Sequence, residues 1–190
     1  MKAHGDFPTV IYRAFTELEY AQGFIRGLVR FGNLIDYRKI EDVRRRDESE
    51  GRGEYHANGT KTSIEFAENK IYIACFHRDL ESAVNTGHGK YIVEVSQPLK
   101  LAEDLTRVLR SSPVKHFGGI EGVLVTYDKG EEKGRKLDSV ESTRLAYCQK
   151  PKSFVPENEF RYIFIRKSYG GANITLNIGS KILGLIHEYT

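Results

Sequence analysis

The amino-acid sequence predicts an α+β domain in which strands outnumber helices. From Lys61 onward, short apolar runs and period-two alternation recur, which is typical of β-strands. Helical spacing of apolar residues is confined to the first two thirds of the chain, after Thr16 and after Pro98. The 190 residues carry a net charge of +3 and are 39% hydrophobic. This size and composition favour a single domain over 1–190 with its own hydrophobic core.

The first predicted elements are a strand over 9–15 and a short helix after it. Thr16 followed by Glu19 has the pattern of an N-terminal capping box, and Gly27 stands where a helix-ending glycine is expected. The apolar face of this helix would consist of four residues at helical spacing: Ala21, Phe24, Ile25 and Leu28. Residues 31–33 then predict a turn. The window 36–54, with six basic and seven acidic residues, predicts a long charged surface loop.

The second half of the chain predicts a series of strands interrupted by one helix. That helix starts at Pro98, which suits a first-turn position, and continues through apolar residues at helical spacing. The pair Gly179-Ser180 suits a tight hairpin between the last two strands, and the polar stretch 128–136 predicts an exposed loop. The predicted strands are 63–67, 71–76, 91–95, 123–127, 160–165, 174–178 and 182–186.

Composition excludes several classes of protein. A sequence pI near 8.7 is too low to indicate a dedicated nucleic-acid binder. No apolar run is long enough for a membrane span and the first residues lack a secretory pattern, so we expect a cytoplasmic protein with no membrane partner. Cys75 and Cys148 each fall in a stretch that predicts a strand, without CxxC spacing, which argues against a zinc ribbon or a disulfide framework.

Histidine and glycine spacing likewise excludes metal and nucleotide motifs. The scattered residues His56, His77, His88 and His116 lack the spacing of a zinc site, so we expect no metal. Gly87-His88-Gly89 matches no phosphate-binding loop, and neither a P-loop nor a dinucleotide fingerprint occurs in the chain.

The segment 150–165 carries the most specific chemical pattern. A loop with two prolines leads through Glu157 and Glu159 into an aromatic strand. In an extended chain, Glu157, Glu159 and Arg161 point to one side. Phe160, Tyr162 and Phe164 then point to the other side. An ordinary surface ion pair would explain the charged side equally well.

Several short segments, taken in order, resemble the ADP-ribosyltransferase superfamily, in particular a widespread bacterial domain family of unclear function with that core. Tyr12-Arg13 resembles the first-strand motif, and 24–34 followed by 48–51 resembles the helix, glycine turn and acidic-glycine loop. The run 71–76 resembles the central strand, and 150–161 resembles the closing motif. The resemblance implies a split β-sheet core with a few helices.

The resemblance also implies a reaction in which NAD, used as a substrate, is cleaved at its nicotinamide ribose and ADP-ribose passes to an acceptor. Glu159 would be the catalytic carboxylate that stabilises the oxocarbenium-like centre, and Glu157 would assist the acceptor. Arg13 would bind the cofactor's phosphates or ribose, since a guanidinium offers a planar donor fork. An arginine at the sheet edge is the alternative for Arg13.

Further cofactor contacts follow from the same resemblance. Tyr12, Phe31 and Tyr37, with Gly32 in the turn beside them, would enclose the nicotinamide ring, although core packing explains these aromatics as well. Arg38 and Arg46 would be further phosphate ligands in the charged window, although solvated ion pairs explain these two residues equally well. Where the family often has a hydroxyl on its central strand, this chain has His77, which would either donate a hydrogen bond to the ribose or cap the strand.

The sequence therefore predicts an NAD-dependent ADP-ribosyltransferase that acts as an intracellular toxin or phage–host conflict effector. Its acceptor would be RNA, DNA or a host protein. The basic residues Arg44, Arg45 and Arg46 and the loop 129–136 permit a polynucleotide. Such a toxin would need an antitoxin or inhibitor protein as a partner. Two alternatives remain open: a non-catalytic module that binds nucleic acid or protein, and an NAD glycohydrolase with water as acceptor.

Overall fold

The computed structural model describes residues 4–5, 7–39, 48–65, 70–168, 171 and 173–189. Within them lie two 3₁₀ helices, Leu34–Lys39 and Lys152–Glu157. The α-helices are α1 (Leu18–Ile25), α2 (Leu80–Asn85), α3 (Pro98–Ser111) and α4 (Ser139–Cys148). The strands are β1 (His4–Gly5), β2 (Ile11–Phe15), β3 (Leu28–Asn33), β4 (Arg52–Ala57), β5 (Thr60–Glu65), β6 (Ile71–His77), β7 (Tyr91–Val95), β8 (His116–Leu124), β9 (Glu159–Arg166), β10 (Asn173–Asn177) and β11 (Gly184–Glu188).

Nine of these strands form one sheet, and the pattern confirms the α+β class. The main strand order is β1-β8-β9-β6-β2-β7-β11, and all of its pairs are antiparallel except β1 with β8. β3 joins the sheet beside β6 and pairs with β10 on its other side. β4 and β5 form a separate two-stranded hairpin.

The sheet forks at β6. On one side β6 pairs with β9 over its whole length. On the other side it pairs with β2 only at His77 and with β3 only at Tyr72 and Ile73. The two strands diverge between these points, and the guanidinium of Arg13 on β2 crosses the gap to donate from Nη2 to the carbonyl of Arg30 on β3, at 3.1 Å. This gap, called the fork below, places Arg13 beside the middle of β6.

The hydrophobic core lies on both faces of β6 and β9. On one face, aromatic side chains from these strands pack with α1 and α3; Phe76 and Tyr162, for example, have ring centroids 5.0 Å apart. On the other face, Ile73 and Ile163 pack against Tyr147 of α4. Because side chains alternate along a strand, the polar residues at the start of β9 fall on the α4 face.

The region after α1 differs from the sequence prediction. Glu17, rather than Thr16, is the N-cap of α1, and its side chain makes no capping hydrogen bond. Gly27 has a φ of +98° and ends the helix as predicted. Leu28 then begins β3, so the predicted turn over 31–33 is wrong. The apolar spacing wrongly places Leu28 in the helix, because Leu28 follows Phe24 by four residues, about one helical turn. In the structure, the backbone of Leu28 pairs with Asn177 of β10.

The charged window and the last strands also differ from prediction. Part of the window forms the hairpin β4–β5, whose Tyr55 is 1% exposed beneath its charged neighbours; residues 40–47 lie outside the described residues. The predicted hairpin at Gly179-Ser180 is wrong, because β10 pairs with β3 and β11 pairs with β7. The intervening segment instead bonds to the α1–β3 junction, where the amide of Ile178 donates to the carbonyl of Gly27.

Two predicted features of the middle region are confirmed and one is wrong. α3 begins at Pro98 as predicted, and the stretch 128–136 contains no helix or strand beyond a bridge of Glu132 to His56. Cys148, expected in a strand, is the last residue of α4, a helix with a complete capping box at Asp138. Among the described residues, no helix has the length and apolarity to cross a membrane.

Candidate functional site

The closing motif turns sharply into β9. The 3₁₀ helix ends at Glu157, and Asn158 adopts a left-handed conformation with φ of +40° before Glu159 begins the strand. Asn158 is held there by its side-chain amide, which donates to Asp79, and by its carbonyl, which accepts from the amide of Arg78 at 2.9 Å. Glu157 is therefore not in the strand, contrary to the sequence prediction, yet the turn brings its carboxylate beside that of Glu159.

Arg161 is the centre of a buried network of charges. Its side chain is 0% exposed and donates from Nη1 and Nη2 to the two carboxylate oxygens of Glu50, at 2.7 and 2.8 Å. Nε donates to Glu159 Oε1 at 2.7 Å, and Nη1 also donates to the carbonyl of Tyr147 at 2.8 Å. Although burial opposes its charge, Glu159 and Glu50 raise the pKa of Arg161. The guanidinium fixes the carboxylate of Glu159 in place.

Lys150 completes the charge balance around Glu159. Its side chain is 8% exposed, and Nζ lies 2.6 Å from Glu157 Oε2 and 2.8 Å from Glu159 Oε2. Burial alone would lower the pKa of Lys150, but the neighbouring carboxylates raise it. Burial likewise opposes ionisation of Glu159, yet Arg161 and Lys150 hold the pKa of Glu159 well below its ordinary value. Glu159 is therefore a permanently ionised carboxylate between two cations.

Glu157 has the opposite ionisation behaviour. Burial and the charge of Glu159 raise the pKa of Glu157 to about 7, and Lys150 only partly offsets them. Two carboxylates that share one site commonly separate in this way, one ionised and one protonated near neutrality. Glu157 can therefore accept or release a proton at physiological pH.

His77 lies at the end of β6 beside these carboxylates. Its Nδ1 is 2.7 Å from the carbonyl oxygen of Glu157, and because a carbonyl only accepts, Nδ1 carries the hydrogen. Burial lowers the pKa of His77, so the ring is neutral and its Nε2 is an acceptor. His77 thus fixes the closing motif, and toward a bound ribose the neutral ring would accept a hydrogen bond rather than donate one.

A cavity of about 140 Å³ opens beside this network and is called the central cavity. It brings together five residues that the sequence singled out: Arg13, Tyr37, His77, Glu157 and Glu159. Its other lining residues are Ala14, Cys75, Phe76, His88, Lys150 and Arg161. Three segments distant in sequence, β2, β6 and the start of β9, therefore meet around one small space.

Two larger cavities adjoin the central cavity at Arg13. One, of about 480 Å³ and called the basic cavity, is lined by Arg13, Arg26, Arg30, His88 and residues of α1. The other, of about 360 Å³ and called the polar cavity, is lined by Arg13, Arg30, Gly32, Asn33, Asp36, Tyr37 and Asn173. Arg13 lines all three cavities.

Arg13 is held among aromatic rings. Its Cζ lies 5.2 Å from the centroid of Phe76 and 5.4 Å from that of Phe24, distances typical of cation–π contact. Burial lowers the pKa of Arg13, and the described residues give it no carboxylate partner. Its Nη1 is buried and has no hydrogen-bond partner among the same residues. An unneutralised guanidinium at the meeting point of three cavities is suited to an anion.

The polar cavity contains further buried groups without partners. Asn33 is 1% exposed and its Nδ2 has no hydrogen-bond acceptor within the described residues, and Oδ2 of Asp36 has no donor there. Gly32 lies against Tyr37, and a Cβ at Gly32 would stand 2.9 Å from the tyrosine ring. The absence of a side chain at Gly32 thus makes room for Tyr37 at the junction of the polar and central cavities.

Other predicted site residues lie elsewhere. Phe31 is fully buried in the core, and its ring centroid is 5.1 Å from that of Phe164. This position corresponds to the alternative in which Phe31 packs in the core. Tyr12 points to the opposite face of β2 from Arg13 and lines none of the three cavities. Arg38 donates to the carbonyl of Glu50 and to Glu65, so it braces the loop that carries Glu50. Arg46 lies outside the described residues.

Sequence reasoning gave no role to three residues of the site. Glu50 was one acid in a charged window, and its partner Arg161 is 111 residues away. Lys150 belongs to the closing motif, but only the fold shows its amine between two carboxylates. The segment Gly87-His88-Gly89 is noticeable in the sequence, but it matches no known motif, so no role was predicted for His88. Cys75 also lines the central cavity; burial raises the pKa of its thiol, which therefore stays protonated.

The described residues contain no cluster of side chains with the composition of a metal site. In comparisons with known proteins, no family model, no curated protein and no solved structure matches this chain.

Proposed function

We propose that this protein transfers ADP-ribose from NAD to an acceptor, with Glu159 as the catalytic carboxylate and Arg13 as a ligand of the cofactor's phosphates. The observation that carries the proposal is the central cavity at the fork. It collects a guanidinium from β2, an imidazole from β6 and two carboxylates from the start of β9. These are the positions at which the sequence resembles ADP-ribosyltransferases, and the fork agrees with the split sheet that the resemblance implies.

The ionisation state of Glu159 suits the proposed chemistry. When the bond between the ribose C1′ and the nicotinamide nitrogen breaks, the electron pair leaves with nicotinamide and positive charge develops on the ribose. A fixed carboxylate lowers the barrier if its charge faces that centre in a site with little water. Glu159 is 3% exposed and stays ionised because of Arg161 and Lys150, so its position and charge are set before the substrate arrives.

The adjoining cavities supply complementary groups for the rest of NAD. The pyrophosphate needs cations, and Arg13, Arg26 and Arg30 all line the basic cavity. The nicotinamide carboxamide presents an acceptor oxygen and N–H donors. In the polar cavity, Asn33 Nδ2 and Asp36 Oδ2 are a donor and an acceptor without partners among the described residues. The pyrophosphate and the nicotinamide of NAD would then meet their partners on either side of Arg13.

Glu157 is the proposed base for the acceptor. Its pKa near 7 lets it take a proton from an incoming nucleophile at physiological pH. The loop 129–136 gives little support to a polynucleotide acceptor, because three of its four cations are engaged within the chain: Lys129 with the carbonyl of Ser49, Lys133 with Asp128 and Arg135 with Glu141. Arg44, Arg45 and Arg46 lie outside the described residues. RNA, DNA and protein therefore all belong in the assay.

The decisive experiment measures transfer of label from adenylate-labelled NAD to RNA, DNA or cell protein offered separately. Glu159→Gln should lower transfer about 100-fold or more, the size expected when one preorganised electrostatic group is removed. Glu121→Gln is the matched control, since Glu121 is a carboxylate of the same sheet paired with Arg144 at 3.4 Å and lies outside the three cavities. Transfer that survives in Glu159→Gln contradicts the catalytic role.

A non-catalytic binding module is the second candidate. The observation in its favour is the pairing of Glu159 with both Arg161 and Lys150, which is also how a purely structural carboxylate would be compensated. Incubation with NAD distinguishes the two: a module that binds nucleic acid or protein releases no nicotinamide, and its binding of RNA, DNA or protein survives Glu159→Gln. Release of free ADP-ribose without any acceptor would instead identify an NAD glycohydrolase built on the same residues.

A further inference from the structure

The segment Gly87-His88-Gly89, between α2 and β7, is shaped to bring one imidazole to the site. Gly87 has a φ of +64°, a conformation that L side chains rarely adopt. Gly89 lies directly against the backbone of Phe15 on β2, where a Cβ would overlap main-chain atoms. The two glycines let the chain turn and then press against β2, and the side chain between them is directed over the fork.

His88 lies at the boundary between two cavities. It lines both the central and the basic cavity, as do Arg13 and Ala14. Its Nε2 is 3.9 Å from Oε1 of Glu157, and its ring centroid is 5.6 Å from that of His77. The side chain of His88 is 21% exposed, whereas that of Glu157 is 11% exposed. His88 is therefore a titratable group that connects the buried carboxylate with solvent.

We propose that His88 relays the proton that Glu157 removes from the acceptor and delivers it to water. The inference rests on the proposed function and adds a residue to it. The distance of 3.9 Å is longer than a hydrogen bond, as is common for catalytic pairs without substrate, which shorten when the substrate binds. Each turnover would need this route, because Glu157 must lose its proton before it can serve as a base again.

The balance of the step is simple. The acceptor's O–H or N–H loses its proton to the carboxylate of Glu157, and the acceptor's electron pair forms the new bond to the ribose C1′. The C1′–nitrogen electron pair leaves with nicotinamide. The proton then passes from Glu157 to Nε2 of His88 and from there to water. ADP-ribosyl acceptor, nicotinamide and one proton are the products, and no oxidant or reductant is required.

The surroundings favour this direction of transfer. The charged and titratable groups that face Glu157 are Lys150 after α4, Glu159 on β9, His77 on β6 and His88. Among the residues that the structure describes, Glu157, His77 and Arg13 border His88. Glu157 has a pKa near 7, so it can both take up and release a proton at neutral pH. His77 is less suited to this role, because it is 7% exposed and burial lowers its pKa.

The test replaces His88 with alanine and supplies imidazole in solution. His88→Ala should lower the rate of ADP-ribosyl transfer about tenfold or more, with the KM for NAD changed by less than about twofold. Added imidazole should restore the rate in proportion to its concentration, and more strongly at a pH where it is unprotonated. His187→Ala is the matched control, because His187 has a similar distance of 3.7 Å to Glu94 and both residues lie outside the three cavities.

Each outcome has a definite meaning. A rate equal to that of the wild type, or a loss that imidazole does not restore in a folded variant, overturns the relay. A loss seen only as a higher KM makes His88 a binding residue and also overturns it. His88→Gln keeps a side chain of similar reach in the loop but cannot carry a proton, so it should be as slow as His88→Ala. If the wild-type protein releases no nicotinamide at all, the proposed function itself fails, whereas turnover abolished by Glu159→Gln but insensitive to His88 removes only the relay.

Discussion

The two faces of β9 are equally buried but chemically opposite. Phe160 and Tyr162 on one face and Arg161 on the other are each 0% exposed. Burying an aromatic ring stabilises the fold by a few kcal/mol, whereas a buried ion pair often gives no net stabilisation over an apolar pair of the same size. The aromatic face is thus sufficient to explain the fold. The charged face needs another explanation, and a functional site provides one.

Breaking the charged face should have the largest effect. Arg161→Met removes the guanidinium and leaves Glu50, 1% exposed, without its ion-pair partner. An uncompensated buried charge costs about 4 kcal/mol, so the free energy of unfolding should fall by about that amount. Urea unfolding at neutral pH measures it. Glu159 would keep Lys150 as a partner, which makes Glu50 the main source of the loss.

A double variant sharpens this test. In Glu50→Leu/Arg161→Met, both the charge and its partner are gone, and the variant should be more stable than Arg161→Met alone. If the double variant is instead the less stable of the two, burial of Glu50 is not what destabilises the single variant. NAD turnover should be lost in both variants, because neither holds Glu159 in position.

Breaking the aromatic face should have a slightly smaller effect of a different kind. Phe164→Ala removes a ring that is stacked 5.2 Å from Tyr72 and lies 5.1 Å from Phe31. The expected loss is about 3 kcal/mol, with the same value at pH 5 and at pH 8. Turnover per folded molecule should be retained, since Phe164 lines none of the three cavities. A selective loss of activity in a fully folded sample would contradict the separation of the two faces.

The two faces also differ in how far the sequence predicts them. The alternation Glu159, Phe160, Arg161, Tyr162 is enough to assign each side chain to a face, because a strand has a period of two. The sequence cannot identify Glu50 as the partner of Arg161, since their contact depends on how a distant loop folds over β9. The same limit applies to Lys150, whose amine could equally have been exposed.

Secondary structure was hardest to predict where local pattern and tertiary pairing disagree. Leu28 continues a helical spacing, but the helix ends at Gly27 and β10 pairs with the extended chain beyond it. In the hairpin β4–β5, alternate residues of β4 such as Tyr55 are buried, because a strand has a period of two, and charged residues lie between them. α4 has mixed polarity because it packs between the main sheet and this hairpin. In each case the deciding partner is distant in sequence.

The titration of Glu157 should change the free energy of unfolding by an amount between those of the core variants and the helix-cap variant. Only the charged face can show this pH dependence. The pKa of Glu157 is raised from an ordinary value near 4.3 to about 7. The folded state therefore holds the proton more tightly than the unfolded state, and this contribution to stability is lost as pH rises from about 4.3 through 7. His77, whose pKa is lowered by burial, acts in the opposite direction below its ordinary value.

Glu157→Gln removes the first contribution and keeps the second. The free energy of unfolding of the variant, minus that of the wild type, should therefore increase by about 2 kcal/mol between pH 5 and pH 8, at about 1.4 kcal/mol per unit of pKa shift and less for partial exposure. Urea unfolding at three pH values gives this difference. A difference that stays constant with pH means that Glu157 titrates normally in the folded protein.

The smallest effect belongs to α4, which packs on the charged face of β9. Asp138 caps this helix by accepting from the amides of Val140 and Glu141, both at 2.8 Å. Asp138→Ala should cost about 1 kcal/mol, and Glu17→Ala should cost almost nothing, because the N-cap of α1 makes no side-chain bond. Equal losses in the two variants would show that capping does not distinguish these helices.

Turnover should not change in Asp138→Ala, although α4 contributes to the charged face. The C-terminal end of α4, which touches the site, is held without the help of Asp138. Arg161 donates to the carbonyl of Tyr147 at 2.8 Å. The fully buried Gln149 accepts a hydrogen bond from the amide of Glu54. Fraying of the first turn is therefore stopped before it reaches the network. If turnover falls with stability in this variant, the charged face depends on the whole helix, and its rigidity is a property of the fold rather than of the network alone.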